Sequence, residues 1–312
     1  MSFPFLSTLR PVLVSKPFLI PTSLFCTYKL LDCLSTYLSQ RSLNNWEADS
    51  TWDWDKEIVL ITGGANGIGA AIAKQFAERG IKVVVWDVQK PGEELLAYPT
   101  LHYTPVDLTS PTLTTAFAHL RSTHGPPTIL INNAGIAASS SFLAENPETT
   151  ARHFAVNTLS QMRMVQEFLP DMVARDHGHV VTVASASSWI STSGLVSYAA
   201  SKAAVMAFHE GVGQELRVRY RARKVRMTIA FPHFVRTKMV ANLTTLHDFR
   251  DFLLEPDYVA TEIVKQVLSG QSGNLVLPPS NKWLSRLRSM PAWYRYYVAG
   301  LDPDVYAPKK KE

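Results

Sequence analysis

The sequence predicts an α/β protein with a single doubly wound parallel sheet and helices on both of its faces. Short apolar, β-branched runs alternate with helical stretches along most of the chain, which is typical of right-handed βαβ units. The first run, at 57–62, enters a glycine-rich turn and then a helix-forming stretch that Gly80 ends. A strand, a glycine turn and a helix form the phosphate-binding unit of dinucleotide folds. The architecture is therefore a Rossmann fold over 56–278.

The predicted elements of this domain follow one another at a regular spacing. After the first unit we expect strands at 81–86, 101–106, 128–131, 179–184 and 225–231, with a last edge strand at 275–277. We expect helices at 111–124, 149–175, from 198 onward and at 256–269. Residues 238–254 form a mixed insertion that could cover a pocket.

Composition narrows the class of protein further. The 312 residues are 46% hydrophobic and 18% charged, enough for one large core. The net charge of +5 comes without a recognisable nucleic-acid module, so no nucleic-acid partner is expected. Cys26 and Cys33 offer no disulfide framework, which suits a reducing compartment. His177 and His179 flank Gly178 at a turn, and we expect no metal site.

Residues 1–55 are predicted to be a membrane-associated segment followed by a linker. A helix is expected over 22–38, after prolines that break the preceding chain: Pro4, Pro11, Pro17 and Pro21. Its apolar stripe consists of Leu24, Tyr28, Leu31, Leu34 and Leu38. Lys29 and Asp32 interrupt it, so it is not a clean apolar span. The pattern favours a retained segment lying in the membrane interface or partly inserted. The alternative is a helix packed on the protein itself or on another subunit.

The tail at 279–312 interleaves basic and aromatic residues, as interfacial segments do. The alternative is that it packs over the domain or a dimer partner. Lys309 and Lys310, near the end of the chain, resemble an endoplasmic-reticulum retrieval signal, although lysine-rich ends are also common as solvated tails.

An acidic residue at the end of the second strand bears on the cofactor. Asp87 lies eighteen residues after Gly69, where a carboxylate can bind the adenosine ribose hydroxyls and repel the extra phosphate of NADP. Asn66 leaves the glycine turn without a basic residue for that phosphate. Both observations favour NAD. Lys90 nearby keeps NADP open, and Asp87 could instead only cap a turn.

The stretch 185–202 carries the candidate chemistry. Ser185 follows a predicted strand, and Tyr198 and Lys202 lie four residues apart on a helix, so they share one face. A free phenol has a pKa of about 10, and a nearby ammonium should lower it. Such a phenol could exchange a proton with an alcohol or a carbonyl while the serine holds the same oxygen. The Tyr-x-x-x-Lys pattern recurs at Tyr220/Lys224 and Tyr306/Lys310, but only Tyr198 has a serine thirteen residues before it.

Assembled in order, these motifs resemble the short-chain dehydrogenase/reductase family over about 56–277. The matching positions are Thr62, Gly63, Gly67, Gly69, Asp107, the Asn132-Asn133-Ala134-Gly135 motif, Asn157, Ser185, Tyr198 and Lys202. One position departs from the family pattern: Pro232 is followed by His233, where the family usually has glycine.

The resemblance implies a role for each matched residue. Tyr198 would be the acid/base, Ser185 the orienting hydroxyl, Lys202 the group that lowers the tyrosine pKa and holds the nicotinamide ribose, and Asn157 the anchor of a proton-relaying water. Asp107 would face the adenine and Asn133 the adenosine side, with Val235 and Thr237 against the nicotinamide carboxamide. The remaining cofactor contacts would come from Ile68, Ala134 and Gly135.

The N-terminus and the strand ends look like the subgroup acting on retinoids, steroids and long-chain alcohols. That subgroup implies a lipophilic substrate, a membrane or lipid-droplet surface, the endoplasmic reticulum with a cytosolic catalytic domain, and a homodimer or homotetramer. Two alternatives remain: an NADPH-dependent ketone or aldehyde reductase of the same fold, and a non-catalytic lipid-surface binding protein. Ser185 lacks the Gly-x-Ser-x-Gly elbow of serine hydrolases.

Overall fold

The computed structural model of the protein describes residues 16–241 and 252–301; for residues 16–22 and 301 it describes the backbone alone. The chain divides into two compact units, Met1–Glu47 and Ala48–Glu312. Residues 48–55, predicted as linker, and the described part of the tail, 279–301, fall in the second unit.

The described part of the first unit is a helix, α1 (Lys16–Leu43). It begins earlier than the predicted 22–38, so Pro17 and Pro21 lie inside the helix instead of breaking it. Pro17 falls in the first turn, where a missing backbone N–H costs no hydrogen bond. Pro4 and Pro11 lie outside the described residues. Over the ranges that the structure describes, no helix is both long and apolar enough to cross a membrane.

The second unit is built on one seven-stranded sheet in which every neighbouring pair is parallel, as predicted. The strands are β1 (Ile58–Thr62), β2 (Lys82–Asp87), β3 (Leu101–Pro105), β4 (Ile129–Asn132), β5 (Gly178–Val183), β6 (Val225–Pro232) and β7 (Gly273–Leu277). Their order is β3-β2-β1-β4-β5-β6-β7. The order reverses between β1 and β4, which opens a crevice at the carboxyl ends of the strands.

Helices cover both faces of this sheet. They are α2 (Gly67–Ala77), α3 (Glu93–Leu96), α4 (Leu113–Thr123), α5 (Pro147–Phe154), α6 (Ser160–Arg175), α7 (Val196–Val218), α8 (Pro256–Leu268) and α9 (Ala292–Leu301). Successive strand side chains point to opposite faces. Val59 and Ile61 thus pack with α2 and α8, while Leu60 packs with α4, α6 and α7.

The helix predicted at 149–175 is interrupted by a π-helical turn, Ala155–Leu159, between α5 and α6. This turn carries Asn157, which is fully buried. Single π turns inside helices are frequent at functional sites because they re-aim one side chain. Apolar periodicity cannot reveal such a turn, since the apolar residues on either side still follow a helical pattern.

The backbone after β6 tolerates His233 at the position where the family usually has glycine. The backbone N–H of His233 donates to the Leu277 carbonyl at 2.8 Å, which extends the β6–β7 pairing. His233 has φ outside the left-handed region, so this position does not need glycine. Val235, which precedes the predicted insertion at 238–254, pairs in an isolated bridge with Leu254, the last residue of that insertion. Residues 242–251 of that insertion lie outside the described residues.

The described part of the tail, 279–301, packs on the domain, as the alternative interpretation of its sequence proposed. It forms a 3₁₀ segment, Pro279–Ser289, followed by α9. Leu284 and Leu287 are buried against Ala186, just beyond Ser185. Trp293 and Tyr296 remain more than 70% exposed. Lys309 and Lys310 lie outside the described residues.

Candidate active site

The glycine turn presents an open helix end at the sheet crevice. In the part of the chain that the structure describes, no side chain caps α2, whose N-cap residue is Asn66. The first backbone N–H groups of a helix have no partner within the helix and attract anions. Gly67 adopts φ of +55°, a conformation that favours glycine. The turn therefore fits a phosphate group.

Thr62 and Asn133 hold this turn in place. The Thr62 hydroxyl accepts from the backbone N–H groups of Asn133 and Ala134 at 3.1 and 3.2 Å. The Asn133 amide donates to the carbonyls of Thr62 and Gly63 at 3.1 and 2.9 Å. The amide of Asn133, expected to serve the adenosine side of the cofactor, is thus bonded to the turn itself. A methyl group at Gly69 would overlap the Gly63 carbonyl and lie 2.5 Å from the Asn133 amide nitrogen.

Asp87 ends β2 directly beside this turn. Its carboxylate accepts from the backbone N–H of Ala65 at 3.0 Å and from that of Gln89 at 2.9 Å. Asp87 therefore caps turns, as one interpretation of the sequence proposed. The remaining lone pairs of its carboxylate can still accept hydrogen bonds from hydroxyl groups. The Asn66 amide donates to the Gln89 side chain at 3.0 Å. Lys90, the cation that could bind the extra phosphate of NADP, forms a salt bridge with Glu93 at 2.9 Å.

Asp107, expected to face the adenine, follows β3. One of its carboxylate oxygens accepts from the backbone N–H and the hydroxyl of Thr109, at 2.8 and 2.7 Å. These hydrogen bonds lower the Asp107 pKa. A fixed carboxylate thus stands at the β3 end of the crevice.

Asn157 joins the π turn to the chain that follows β4. Its side chain accepts from the Ile136 N–H at 2.8 Å and donates to the Ile136 carbonyl at 2.9 Å. It also donates to the Ser201 hydroxyl on α7 at 3.0 Å. A methyl group at Gly135 would lie 3.4 Å from the Asn157 amide oxygen and 3.5 Å from Lys202 Nζ. Glycine at 135 therefore keeps open the space between these two side chains.

The structure brings Ser185, Tyr198 and Lys202 together. Ser185 follows β5, and its hydroxyl lies near enough to the Tyr198 phenol to act on the phenol pKa. Lys202 is buried one helical turn further along α7, with Nζ 6.0 Å from the centre of the Tyr198 ring. Its ammonium donates to the Val183 carbonyl at the end of β5 at 2.8 Å. Strand end and helix face meet as the spacing predicts.

The electrostatics of this group differ from the prediction. Burial raises the Tyr198 pKa above its usual value, and the hydrogen bond with Ser185 lowers it by less. Burial lowers the Lys202 pKa to about 8. Among the described residues, the phenol pKa is therefore not lowered as predicted. Burial penalises the phenolate more than the neighbouring side chains stabilise it.

Val235 and Thr237 occupy different surroundings. The Val235 side chain is buried in the core with Leu254. Thr237 lies over the glycine turn, with its methyl group 2.9 Å from where a Cβ on Gly67 would stand. A cavity of about 720 Å³ beside this turn is lined by Ala65, Gly67, Lys74, Tyr98 and Thr237, among others.

Three residues near the site carry no family motif and were not predicted. His153 is fully buried one helical turn before Asn157. Its ring meets the Tyr198 ring edge-on, with centroids 6.3 Å apart. Ser197 and Glu145 join it through hydrogen bonds. The available signal was the spacing of four between His153 and Asn157, which places both on one helix face.

Fold and site together define a dinucleotide-dependent enzyme. A family model described as short chain dehydrogenase matches residues 57–247. The chain belongs to this family, the short-chain dehydrogenases/reductases, and is an NAD(P)-dependent oxidoreductase that acts on CH–OH groups.

Named relatives and solved structures agree with this assignment. Dehydrogenase RED2 of Cochliobolus heterostrophus is 48% identical over 203 residues, which are 64% of this chain and 76% of that protein. Epidermal retinol dehydrogenase 2 of Homo sapiens is 34% identical over 220 residues, 68% and 71% of the two chains. Estradiol 17-beta-dehydrogenase 11 of Pongo abelii is 33% identical over 238 residues, 74% and 78%. The chain thus resembles the retinol and 17-beta-hydroxysteroid dehydrogenase subgroup.

The solved structures support the fold. A 4-hydroxyisoleucine dehydrogenase complexed with NADH superposes with a TM-score of 0.63 at 21% identity, covering 70% of this chain and 96% of that one. A short-chain dehydrogenase from Streptomyces avermitilis superposes with a TM-score of 0.65 at 21% identity, covering 79% and 99%.

Proposed function

We propose that this enzyme interconverts an alcohol and a carbonyl on a lipophilic substrate, with NAD as its preferred cofactor and with Ser185, Tyr198, Lys202 and Asn157 as its catalytic residues. The observation that carries the proposal is that the buried amine of Lys202 lies 6.0 Å from the centre of the Tyr198 ring, next to the Ser185 hydroxyl that lowers the Tyr198 pKa. A structural tyrosine has no need of a buried amine one turn away, whereas proton transfer does.

Each residue of the site has its own role in the proposed reaction. A nicotinamide bound at the crevice supplies or accepts the hydride. The Ser185 hydroxyl and the Tyr198 phenol converge on one point, where a substrate oxygen can accept from both. Because burial keeps the Tyr198 pKa high, the phenol holds its proton at neutral pH and is ready to donate it to a carbonyl. Lys202 and Asn157, adjacent across Gly135, form the inner end of the site.

The cofactor preference rests on the end of β2. Asp87 places a carboxylate beside the uncapped start of α2, and the nearby Lys90 is engaged by Glu93. A ribose hydroxyl can donate to that carboxylate, whereas a phosphate in the same position would be repelled. This arrangement supports NAD over NADP.

The substrate class and the location rest on the relatives and on the two ends of the chain. The relatives named above include retinol and estradiol dehydrogenases. Apolar side chains of α1, Leu24 and Leu31 among them, are more than half exposed, and so is Trp293 of the tail. We infer a protein attached to the endoplasmic-reticulum membrane or to lipid droplets, with the catalytic domain in the cytosol. We expect a homodimer or homotetramer formed through the helices that bear Asn157 and Tyr198.

A cofactor and substrate matrix tests this proposal. Purified full-length protein is assayed by absorbance of the reduced cofactor, with NAD or NADP and with retinol, estradiol, a long-chain alcohol or ethanol. We expect turnover of at least one lipophilic alcohol, with NAD preferred by about tenfold or more, which corresponds to about 1.4 kcal/mol. Equal activity on ethanol would reject the lipophilic substrate, and preference for NADP would reject the role of Asp87.

A further inference from the structure

A line of buried polar groups runs beside the catalytic residues. It begins at the backbone N–H of Ala138, passes through His153 and Ser197, and ends at the carboxylate of Glu145. His153 and Ser197 are buried, and the side chain of Glu145 is 5% exposed. We propose that His153 is a positioning residue that aligns Tyr198 with the opposite wall of the site. This inference rests on the function proposed above.

The hydrogen-bond directions along this line are determined by its two ends. The Ala138 N–H can only donate, so His153 Nε2 accepts it at 3.0 Å and carries no proton. The neutral imidazole then bears its proton on Nδ1 and donates it to the Ser197 hydroxyl at 2.8 Å. Ser197 donates in turn to the Glu145 carboxylate at 2.5 Å. Every donor thus has an acceptor, and a single tautomer is selected.

This line joins the two walls of the catalytic site. On one wall, His153 holds Ala138 while Asn157, one turn along the same helix face, holds Ile136. On the other wall, Ser197 immediately precedes Tyr198 in the first turn of α7. The edge of the His153 ring also contacts the Tyr198 ring. Moving the imidazole would therefore shift both the phenol and the chain that faces it.

The chemistry of the line suits positioning and not proton transfer to substrate. Burial lowers the His153 pKa, against a smaller opposite effect of Glu145. The imidazole is therefore neutral near pH 7, and both of its nitrogens are already engaged. A buried network in which every group is satisfied holds its members in one geometry, and reacting groups need such support.

Variants of the full-length enzyme test the inference, with NAD and the most active alcohol of the retinol, estradiol and long-chain alcohol set as probes. His153→Leu removes both hydrogen bonds. His153→Gln can still accept from Ala138 and donate to Ser197. The matched control is His209→Leu, since His209 is also a buried histidine of this domain and bonds the Thr182 hydroxyl at 2.9 Å.

We expect His153→Leu to lower kcat by about 10- to 100-fold, the cost of a misplaced reacting group, while the KM for NAD changes less than about threefold. His153→Gln should recover at least about a third of the lost activity, and Ser197→Ala combined with His153→Leu should cost no more than His153→Leu alone.

Two results would overturn the inference: a kcat of His153→Leu within about threefold of wild type, or an equal loss in His209→Leu. Tyr198→Phe separates this outcome from failure of the proposed function. If Tyr198→Phe is inactive and His153→Leu is fully active, the catalytic role of Tyr198 stands and the positioning role falls.

Discussion

Burial governs the ionisation of Tyr198 and Lys202, the proposed catalytic pair. Burial favours the neutral form of both side chains: it raises the Tyr198 pKa and lowers the Lys202 pKa to about 8. The sequence places the two side chains on one helix face but says nothing of how deeply they are buried. The predicted sign of the tyrosine shift was therefore wrong, although the predicted juxtaposition is confirmed.

Replacing Lys202 by Met should change how the free energy of unfolding depends on pH. Below pH 8 the amine is charged in both the folded and the unfolded protein, and burying that charge destabilises the wild type relative to the variant. From pH 8 to 10.5 the folded protein loses its proton first, so wild-type stability rises relative to the variant.

We expect the difference in unfolding free energy between the variant and the wild type to shrink by about 2–3 kcal/mol over this interval. Urea unfolding at several pH values measures it. A difference that does not change with pH would contradict the burial of a titrating amine at position 202.

At the scale of elements, the glycine turn depends on the close approach of three segments. Gly69 packs against the Gly63 carbonyl and the Asn133 amide. Gly69→Ala should force the turn open, weakening NAD binding by at least about tenfold and lowering stability by about 1–3 kcal/mol. Fluorescence titration with NADH and thermal unfolding measure the two effects.

Gly211→Ala is the matched control for that substitution. Gly211 lies in α7 with no heavy atom of the described residues within 4 Å of an added methyl group. Alanine there should stabilise the helix by about 0.5–1 kcal/mol and leave NADH binding unchanged. If both variants bind NADH equally well, the turn is not the phosphate site.

The tail is a second element with a consequence for the site. The Arg288 guanidinium donates to the Ser188 and Trp189 carbonyls at 3.0 and 3.2 Å, holding the turn that follows Ser185. Arg288→Met should raise the KM for the lipophilic substrate by about three- to tenfold and leave the KM for NAD unchanged. The exposed Arg286 provides the control, Arg286→Met. Equal substrate KM values in both variants would show that the tail does not shape the substrate site.

The strands and helices that could be predicted are those whose residue pattern lies within one short stretch of the sequence. Strand β4 was expected at 128–131 and spans Ile129–Asn132, because a short apolar run between turn residues is a local feature. The packing of Leu284 and Leu287 on Ala186 joins segments about a hundred residues apart, and no periodicity records such a contact. The bond from the Asn133 amide to the Gly63 carbonyl and the bond between His153 and Ser197 also join residues far apart in the sequence, so neither could be predicted.

At the scale of the whole molecule, the chain consists of two compact units. If α1 attaches the enzyme to a lipid surface, a protein lacking residues 1–47 should lose most of its binding to phosphatidylcholine/phosphatidylserine vesicles. The same protein should retain its NADH affinity, because the glycine turn and the sheet lie in the second unit.

Sedimentation with vesicles and NADH titration measure the two properties. Undiminished vesicle binding by the shortened protein would assign the attachment to the second unit, where Trp293 and Tyr296 are exposed. Loss of both properties would mean that the second unit requires the first in order to fold.

The central claim, that the Tyr198 phenol transfers the proton, is tested most directly by comparing Tyr198→Phe with Tyr220→Phe. Tyr220 belongs to the second Tyr-x-x-x-Lys pattern, follows the end of α7 and is 45% exposed. Turnover is followed by absorbance of the reduced cofactor with the most active lipophilic alcohol. Tyr198→Phe should lower kcat by about 10²- to 10⁴-fold, and Tyr220→Phe should match the wild type. A Tyr198→Phe enzyme that turns over at the wild-type rate would contradict the account.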